Sequence, residues 1–372
     1  MTPQDLAELY LLSRSLWWRH ELGLLSDQAV SELIKVLRSA RAGIVAQIEA
    51  EAQGLASISE WTRERNNQIS AWIDDVLAGT SASVTSYISE ASVGVALASV
   101  ATYNSILSFD GKAKAVKLVE GLTREQVKQF FQDQPLGGKL LSDWVGNAFS
   151  TGARDSILDA IREGVVMGEG YSKLVKRVMT AADAGFSITQ REATTLVRTY
   201  VQSANTGAQE AVYEQNEGII KGYKRVETLD NRTCRICALA DGAVYGKNEK
   251  RPELPAHPNC RGVYVPILKT FREIGLNIDE LEEVARPWTI REQGPIGTGG
   301  RKILNFGTTK ENFGGWWESL SEEDKLKTSV GPVRGRLLQE GLVRWEDLSD
   351  KRTGLPYTLE QLGFDEQGNP LR

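Results

Sequence analysis

The chain has 372 residues, of which 41% are hydrophobic and 25% charged, and a formal net charge of −5. That length exceeds what one core supports, so roughly two or three domains are expected. Three cysteines in so long a chain exclude a disulfide framework and fit a reducing compartment. The opening MTPQDLAELYLLSRSLWWRHELGLL scatters acids and arginines instead of placing a basic segment before an apolar one, so it does not read as a secretory signal.

The first 75 residues read as helix. Leu6, Leu9, Tyr10 and Leu12 begin an apolar face, and Ile34, Leu37, Ile44, Val45 and Ile48 continue one at helical spacing. Trp17, Trp18, Trp61 and Trp72 are expected to anchor helix packing. Residues 78–110 are rich in Ala, Ser, Val and Gly, which lets helices approach closely. Residues 91–109 carry no charge, but Ser92, Ser99, Thr102, Asn104, Ser105 and Ser108 interrupt them. A spanning helix needs about 20 predominantly apolar residues, so an internal packing helix is expected here and no membrane contact.

From residue 120 the helix punctuation is clear. Thr123 stands three residues before Gln126, a capping box ahead of an apolar run. GGKLLSDWVGNAFSTGARDSILDAIREGVVMGEG reads as helix, break, helix, and YSKLVKRVMTAAD as another short helix. The next helix starts at a second box, Thr189 and Glu192. It carries one stripe of Leu196, Val197, Tyr200, Val201, Ala204, Ala208 and Val212, and stops before Gly218.

After Gly218 the pattern becomes strand-like. IIKGYKRVETL, GAVYG and RGVYVPIL read as short strands and DNRTCRIC as a turn. FREIGLNIDELEEVA reads as a short helix and REQGPIGTGGRK as a linker. The linker lacks the GK[ST] ending and the strand–helix frame of a phosphate loop. SLSEEDKLK starts a helix capped by Ser321, followed by SVGPVRGRLLQEGLVRWEDLSD and YTLEQLG. The fold class is therefore α+β and predominantly helical. The expected regions are a helical, partner-facing 1–110, a helical 111–218, a β-rich 219–290, a linker at 291–302 and a small helical ending at 303–372.

All three cysteines and one of the two histidines fall within residues 233–260. The spacing is Cys234-x2-Cys237, then nineteen residues, then His257-x2-Cys260. Two residues between cysteines on a tight turn let both sulfurs face one ion, and the second pair does the same across the loop. Three thiolates and an imidazole suit tetrahedral zinc, and four protein ligands leave no open position, so the implied zinc site is structural. It would staple a small β module with little core of its own. Arg232, Arg235 and Arg261 beside these residues favour thiolate. Two other readings stand beside zinc: a Cys234–Cys237 redox pair, and unligated residues with His257 and Asn259 fixing a turn. A zinc deaminase is excluded, because Asn259 stands where the H-x-E acid belongs and the CxxC comes first. No other residue set resembles a nucleophile with its base, so no enzyme activity is expected.

Charge separates by region. Residues 1–110 hold 7 basic and 13 acidic side chains, 111–270 hold 23 and 18, and 271–372 hold 14 and 18. Within the middle block, residues 221–269 hold 10 basic and 5 acidic. That excess surrounds the Cys/His cluster and makes Arg232, Arg235, Lys247, Lys250, Arg251 and Arg261 candidates for phosphate contact. A solvated loop with a local bias explains it equally well.

ETLDNRTCRICALADGAVYGKNEKRPELPAHPNCRGVYVPIL resembles the signature region of the Mu F-like phage minor head, or head morphogenesis, proteins. The matching positions are Asp230, Arg232, Thr233, Cys234 and Cys237, then Leu239 to Gly242, which is one residue longer than the usual Leu-x-Gly. Pro255, His257, Pro258, Cys260 and Arg261 complete it. The helical lead-in from about 120 to 216 and the tail VGPVRGRLLQEGLVRWEDLSD also resemble members; residues 1–110 lie outside the resemblance. Two departures are Tyr200 after the REATTLVRT run, where an acid is usual, and Gly262, where many members carry another cysteine. The resemblance implies a virion or procapsid-interior protein, made in the host cytoplasm. Its partners would be the portal protein, the capsid interior or scaffold, and packaged DNA, with roles in head assembly and genome packaging or delivery. The alternative is a non-specific DNA-binding zinc module.

Overall fold

The computed structural model describes residues 3–53, 63–109, 115–120, 123–133, 139–167, 169, 171–269, 285–291, 303–350 and 355–371. The elements in chain order begin with the helices α1 (Pro3–Gln53), α2 (Arg63–Leu107), α3 (Arg124–Asp133) and α4 (Leu141–Ala148). A π-helical segment (Phe149–Arg154) follows, then α5 (Asp155–Val166) and α6 (Tyr171–Gln215). The chain then turns to β1 (Ile220–Val226), β2 (Leu229–Asp230), α7 (Arg235–Ala240), β3 (Val244–Gly246) and β4 (Val263–Leu268). Strands β5 (Arg286–Arg291) and β6 (Ile303–Thr309) precede α8 (Phe313–Glu318), α9 (Glu322–Leu326) and α10 (Pro332–Gln339). The fold is the expected helix-dominated α+β. Trp61, and the expected helix at 271–285 and linker at 291–302 apart from Ala285 and Arg291, lie outside the described residues.

The chain forms two compact units built from non-contiguous segments. One comprises Leu22–Leu97 and Leu122–Ala204; the other comprises Met1–Glu21, Ala98–Gly121 and Asn205–Arg372. The first is helical. Leu33, Leu37, Ile44 and Ile48 of α1, Ile73, Val84 and Ile88 of α2, and Val178 and Val197 of α6 are all buried. Thr123 and Gln126 make the expected reciprocal box before α3, at 2.9 and 3.2 Å. Arg154 grips Asp74 through Nε and Nη2 at 2.6 and 3.1 Å.

Two expected breaks in this unit are absent, and one cause explains both. Leu141–Val166 runs on through the π segment, and α6 is one helix from Tyr171. Gly152 and Gly185 face each other. A Cβ on Gly152 would come within 2.4 Å of Thr189 Oγ1, and one on Gly185 within 2.7 Å of Gly152 O. Glycine here permits helix contact instead of ending a helix. Thr189 therefore caps nothing: its hydroxyl donates to Ala148 O at 3.0 Å and Gly185 O at 3.1 Å. Thr151 likewise donates to Asn147 O at 2.8 Å. The two hydroxyls satisfy carbonyls at the edge of the widened π turn.

The second unit joins helix ends to two small sheets. Asn205 of α6 accepts from Trp18 Nε1 at 3.0 Å and Ser99 Oγ at 3.1 Å. Asn216 clamps the backbone of Lys117, accepting from its N–H at 2.7 Å and donating to its carbonyl at 2.8 Å. By length and composition Asn67–Leu107 is apolar enough to cross a membrane, and 50% of its most apolar window is buried inside the structure. Ser92 and Ser99 are fully buried there.

The first sheet has the order β3-β1-β4, both pairings antiparallel. Gln209 Nε2 and Tyr213 OH of α6 both donate to Tyr264 O of β4, at 2.9 and 3.2 Å. The second sheet has the order β2-β5-β6, with β2 parallel to β5 and β5 antiparallel to β6. Residues 303–309, read from sequence as part of a helical ending, are thus a strand. Leu304, Phe306 and Thr308 share one exposed face, and Asn305 on the other face is exposed as well. Behind this sheet Leu229, Ala238 and Ile290 pack with Phe313, Trp316 and Trp317 of α8. Ser321 caps α9 as expected, accepting from Asp324 N at 3.2 Å.

The glycine contact makes a paired prediction. Gly185→Val should cost about 1–3 kcal/mol by overpacking, read as a shifted urea midpoint. Gly79→Ala, with nothing within 4 Å of its added carbon, should stabilise by up to about 1 kcal/mol.

Candidate metal centre

Two turns present the Cys/His residues. In the first, Asp230 ends β2 and folds back on its own loop. Its Oδ1 accepts from Arg232 N at 3.0 Å and from Thr233 Oγ1 at 3.0 Å. The chain then enters α7 instead of remaining the turn expected for DNRTCRIC. Cys234 is the N-cap, and its sulfur accepts from Cys237 N at 3.5 Å. This is how CxxC turns both sulfurs to one side: the first thiol replaces the usual capping oxygen. In the second turn Asn259 takes a φ of 60°, a conformation Asn tolerates. It lets Cys260 N reach His257 O at 3.1 Å.

The turns meet sulfur to nitrogen. His257 Nε2 lies 3.0 Å from Cys234 Sγ and 3.1 Å from Cys237 Sγ. Its other nitrogen, Nδ1, donates to Pro258 O at 2.8 Å. That bond fixes the ring so that Nε2 faces the thiols, the orientation of a metal-binding histidine. Cys234, Cys237 and His257 offer donors within 4.8 Å of one another, a group able to hold a metal ion. Cys260 borders this group, with its sulfur 3.8 Å from that of Cys237. Cys237 and Cys260 are buried and Cys234 is partly exposed.

Mutual hydrogen bonds shift these groups strongly. The Cys237 contact, reinforced by His257, holds the Cys234 thiol down at about 4. The Cys237 contact also lowers Cys260, to about 5, against the pull of burial. Cys237, pressed between two sulfurs, is pushed up. The Cys234 contact raises His257 to about 9. Two sulfurs are thus lowered while Cys237 and His257 are raised, and these two would have to give up protons to serve as metal ligands.

A set of buried ion pairs beds the turns. Arg261, directly after Cys260, grips Asp230 with two bonds of 2.7 and 2.8 Å and touches Thr233 Oγ1 at 3.1 Å. Burial would raise the Asp230 carboxyl, but Arg261 holds it below its usual value. Asp241, within Leu239–Gly242, accepts from Glu227 N and Phe313 N, each at 2.7 Å, and pairs with Arg286. Arg225 and Glu227 pair at 2.8 Å, each 1% exposed. Burial pushes Glu227 up to about 7 against the pull of Arg225.

The six basic candidates part company. Arg261 faces Asp230. Arg251 pairs with Glu210 and lies over the Tyr223 and Tyr264 rings, 3.6 and 4.6 Å from their centroids. Lys247 is 3.4 Å from Glu217, and Arg235 Nε is 3.4 Å from Ser329 O. Arg232 and Lys250 are exposed. Arg261 is hydrogen-bonded to Asp230, and Arg225 is the guanidinium in contact with Cys237, at 3.7 Å.

Sequence reasoning missed Arg225, Glu227, Asp241 and Arg286. The available signal was weak, because Arg225 and Glu227 stand beside Lys221 and Lys224, which look no different in sequence. Asp241→Ala should strand the Arg286 charge and leave two buried N–H groups without acceptors. The expected loss is about 3–5 kcal/mol, measured by denaturant unfolding; Asp241→Asn, which keeps an acceptor, should lose less.

A family model described as Phage Mu protein F like protein matches residues 155–265. No curated protein and no solved structure matches the chain. The matched segment runs from the first residue of α5 into β4 and contains all four Cys/His residues of the cluster. Over residues 155–265, about a third of its length, the chain is similar to the Phage Mu protein F like family.

Proposed function

We propose that this chain is a phage head morphogenesis protein, a minor head component stapled by structural zinc and associated with the portal vertex. The family match carries the first part, because it covers the segment whose motif residues converge on one cluster. The donor chemistry supports zinc. Around a zinc ion with bonds of about 2.3 Å to sulfur, a tetrahedron has sulfur–sulfur edges of about 3.8 Å. Cys237 and Cys260 stand 3.8 Å apart. Cys234, Cys237, His257 and Cys260 would hold the ion. Four protein ligands make it a staple for the module, with no position for substrate.

Portal docking, location in the procapsid interior, and roles in packaging or delivery are the parts of this reading drawn from the family. DNA contact is secondary in it. Arg251 and Arg261 are engaged with carboxylates of the chain itself, which reduces the charge free to meet phosphate.

Metal analysis of the purified protein should find about one zinc per chain. Cys237→Ser should lower that content and loosen residues 219–268 in hydrogen exchange while α6 stays protected; a metal-free protein of unchanged protection would overturn the zinc staple. Co-expression with the portal protein of the same phage, followed by gradient sedimentation, tests the location. Co-migration at a fixed ratio is expected. Clean separation, with the chain shifting a DNA fragment at low salt, would favour the DNA-binding module instead.

A further inference from the structure

The end of strand β1 and the residue after it carry two charges into the interior. Arg225 and Glu227 each expose 1% of the side chain. A guanidinium at that depth is unfavourable unless its donors are used. Arg225 Nε donates to Glu227 Oε1 at 2.8 Å, and Nη2 reaches Cys237 Sγ at 3.7 Å. The residue is also pinned by its backbone, donating to Ala243 O at 2.8 Å and accepting from Gly242 N at 2.9 Å.

Glu227 is held just as firmly. Its N–H donates to Asp241 Oδ1 at 2.7 Å. Its carboxylate lies against Gly262, where an added Cβ would come within 2.3 Å of Oε1. The glycine two residues after Cys260 therefore leaves room for the acid that aims Arg225. The chain of contacts runs from the second turn, through Glu227 and Arg225, to a sulfur of the first.

Three thiolates and a neutral imidazole around a divalent ion leave one net negative charge. At Cys237, which is 3% exposed, water cannot spread that charge. A donor aimed at the sulfur can, and such outer partners orient ligands and tune their basicity.

We infer that Arg225 is a positioning residue of the metal centre, donating to the Cys237 sulfur and holding it toward His257 and Cys260, with Glu227 fixing the guanidinium. The inference rests on the zinc reading. It goes beyond a structural ion pair because it makes metal affinity depend on a residue that binds no metal.

The test uses the full chain, stripped of metal and titrated with cobalt(II). Thiolate-to-cobalt absorption is read, and affinity is measured by chelator competition. Arg225→Lys keeps a positive charge but has no planar fork to serve both Glu227 and the sulfur. It should weaken metal binding by roughly ten- to a hundredfold and move the absorption band. Glu227→Gln, which keeps an acceptor for Nε, should stay closer to the parent than Arg225→Lys does. Should Arg225→Lys not fold, the double exchange Arg225→Met with Glu227→Gln removes both charges at similar volume and carries the same expectation. A folded variant that binds cobalt as tightly as the parent, with an unmoved band, would overturn the role of Arg225 and leave the zinc reading standing. A parent chain that binds no metal would overturn both.

Discussion

The β-rich module depends on one ion pair, Asp230 with Arg261. The first lies four residues before Cys234 and the second directly after Cys260, so their two-pronged bond ties the cysteine turns together. Thr233 joins the same knot through its hydroxyl. The pair also explains why the motif holds an acid, a threonine and an arginine beside its sulfurs. None of the three is a metal donor here, yet each determines where the donors sit.

Buried ion pairs of this kind set arrangement more than they add stability. Replacing both partners by apolar groups is often neutral, whereas removing one leaves an uncompensated charge and costs several kcal/mol. Asp241 with Arg286 and Arg225 with Glu227 extend the principle to both sheets. Asp241 alone ties β1, β5 and the start of α8 into one arrangement. The module therefore has two kinds of cross-link, charge pairs that position the loops and a sulfur–imidazole cluster that closes them.

The helices use polar contacts differently. Asn205 receives a tryptophan and a serine, and Asn216 clamps an extended segment through both ends of its amide. Paired glycines and threonine hydroxyls let helices approach and still satisfy the carbonyls of a π turn. Small and polar residues here specify where helices meet, while the aliphatic stripe of α6 supplies the burial.

Local patterns were legible in the sequence alone because their causes are local. Helical periodicity, the Thr123–Gln126 box, the Ser321 cap, the strands around residues 220–268 and the CxxC…HxxC spacing each reflect contacts a few residues apart. Tertiary structure decided what depends on a distant partner. Gly152 and Gly185 read as breaks because the sequence does not show the facing backbone that requires them. Thr189 read as a cap because its true acceptor, Ala148 O, lies 41 positions away. Strand β6 was read as helix because its pairing with β5 spans residues whose pattern is weak. Arg261 was assigned to the sulfurs by adjacency, but the carboxylate of Asp230, 31 positions back, takes it. Arg225 reaches Cys237 only because β1 is buried beside α7. Composition and spacing determined the chemistry present; long-range packing decided which charge meets which sulfur.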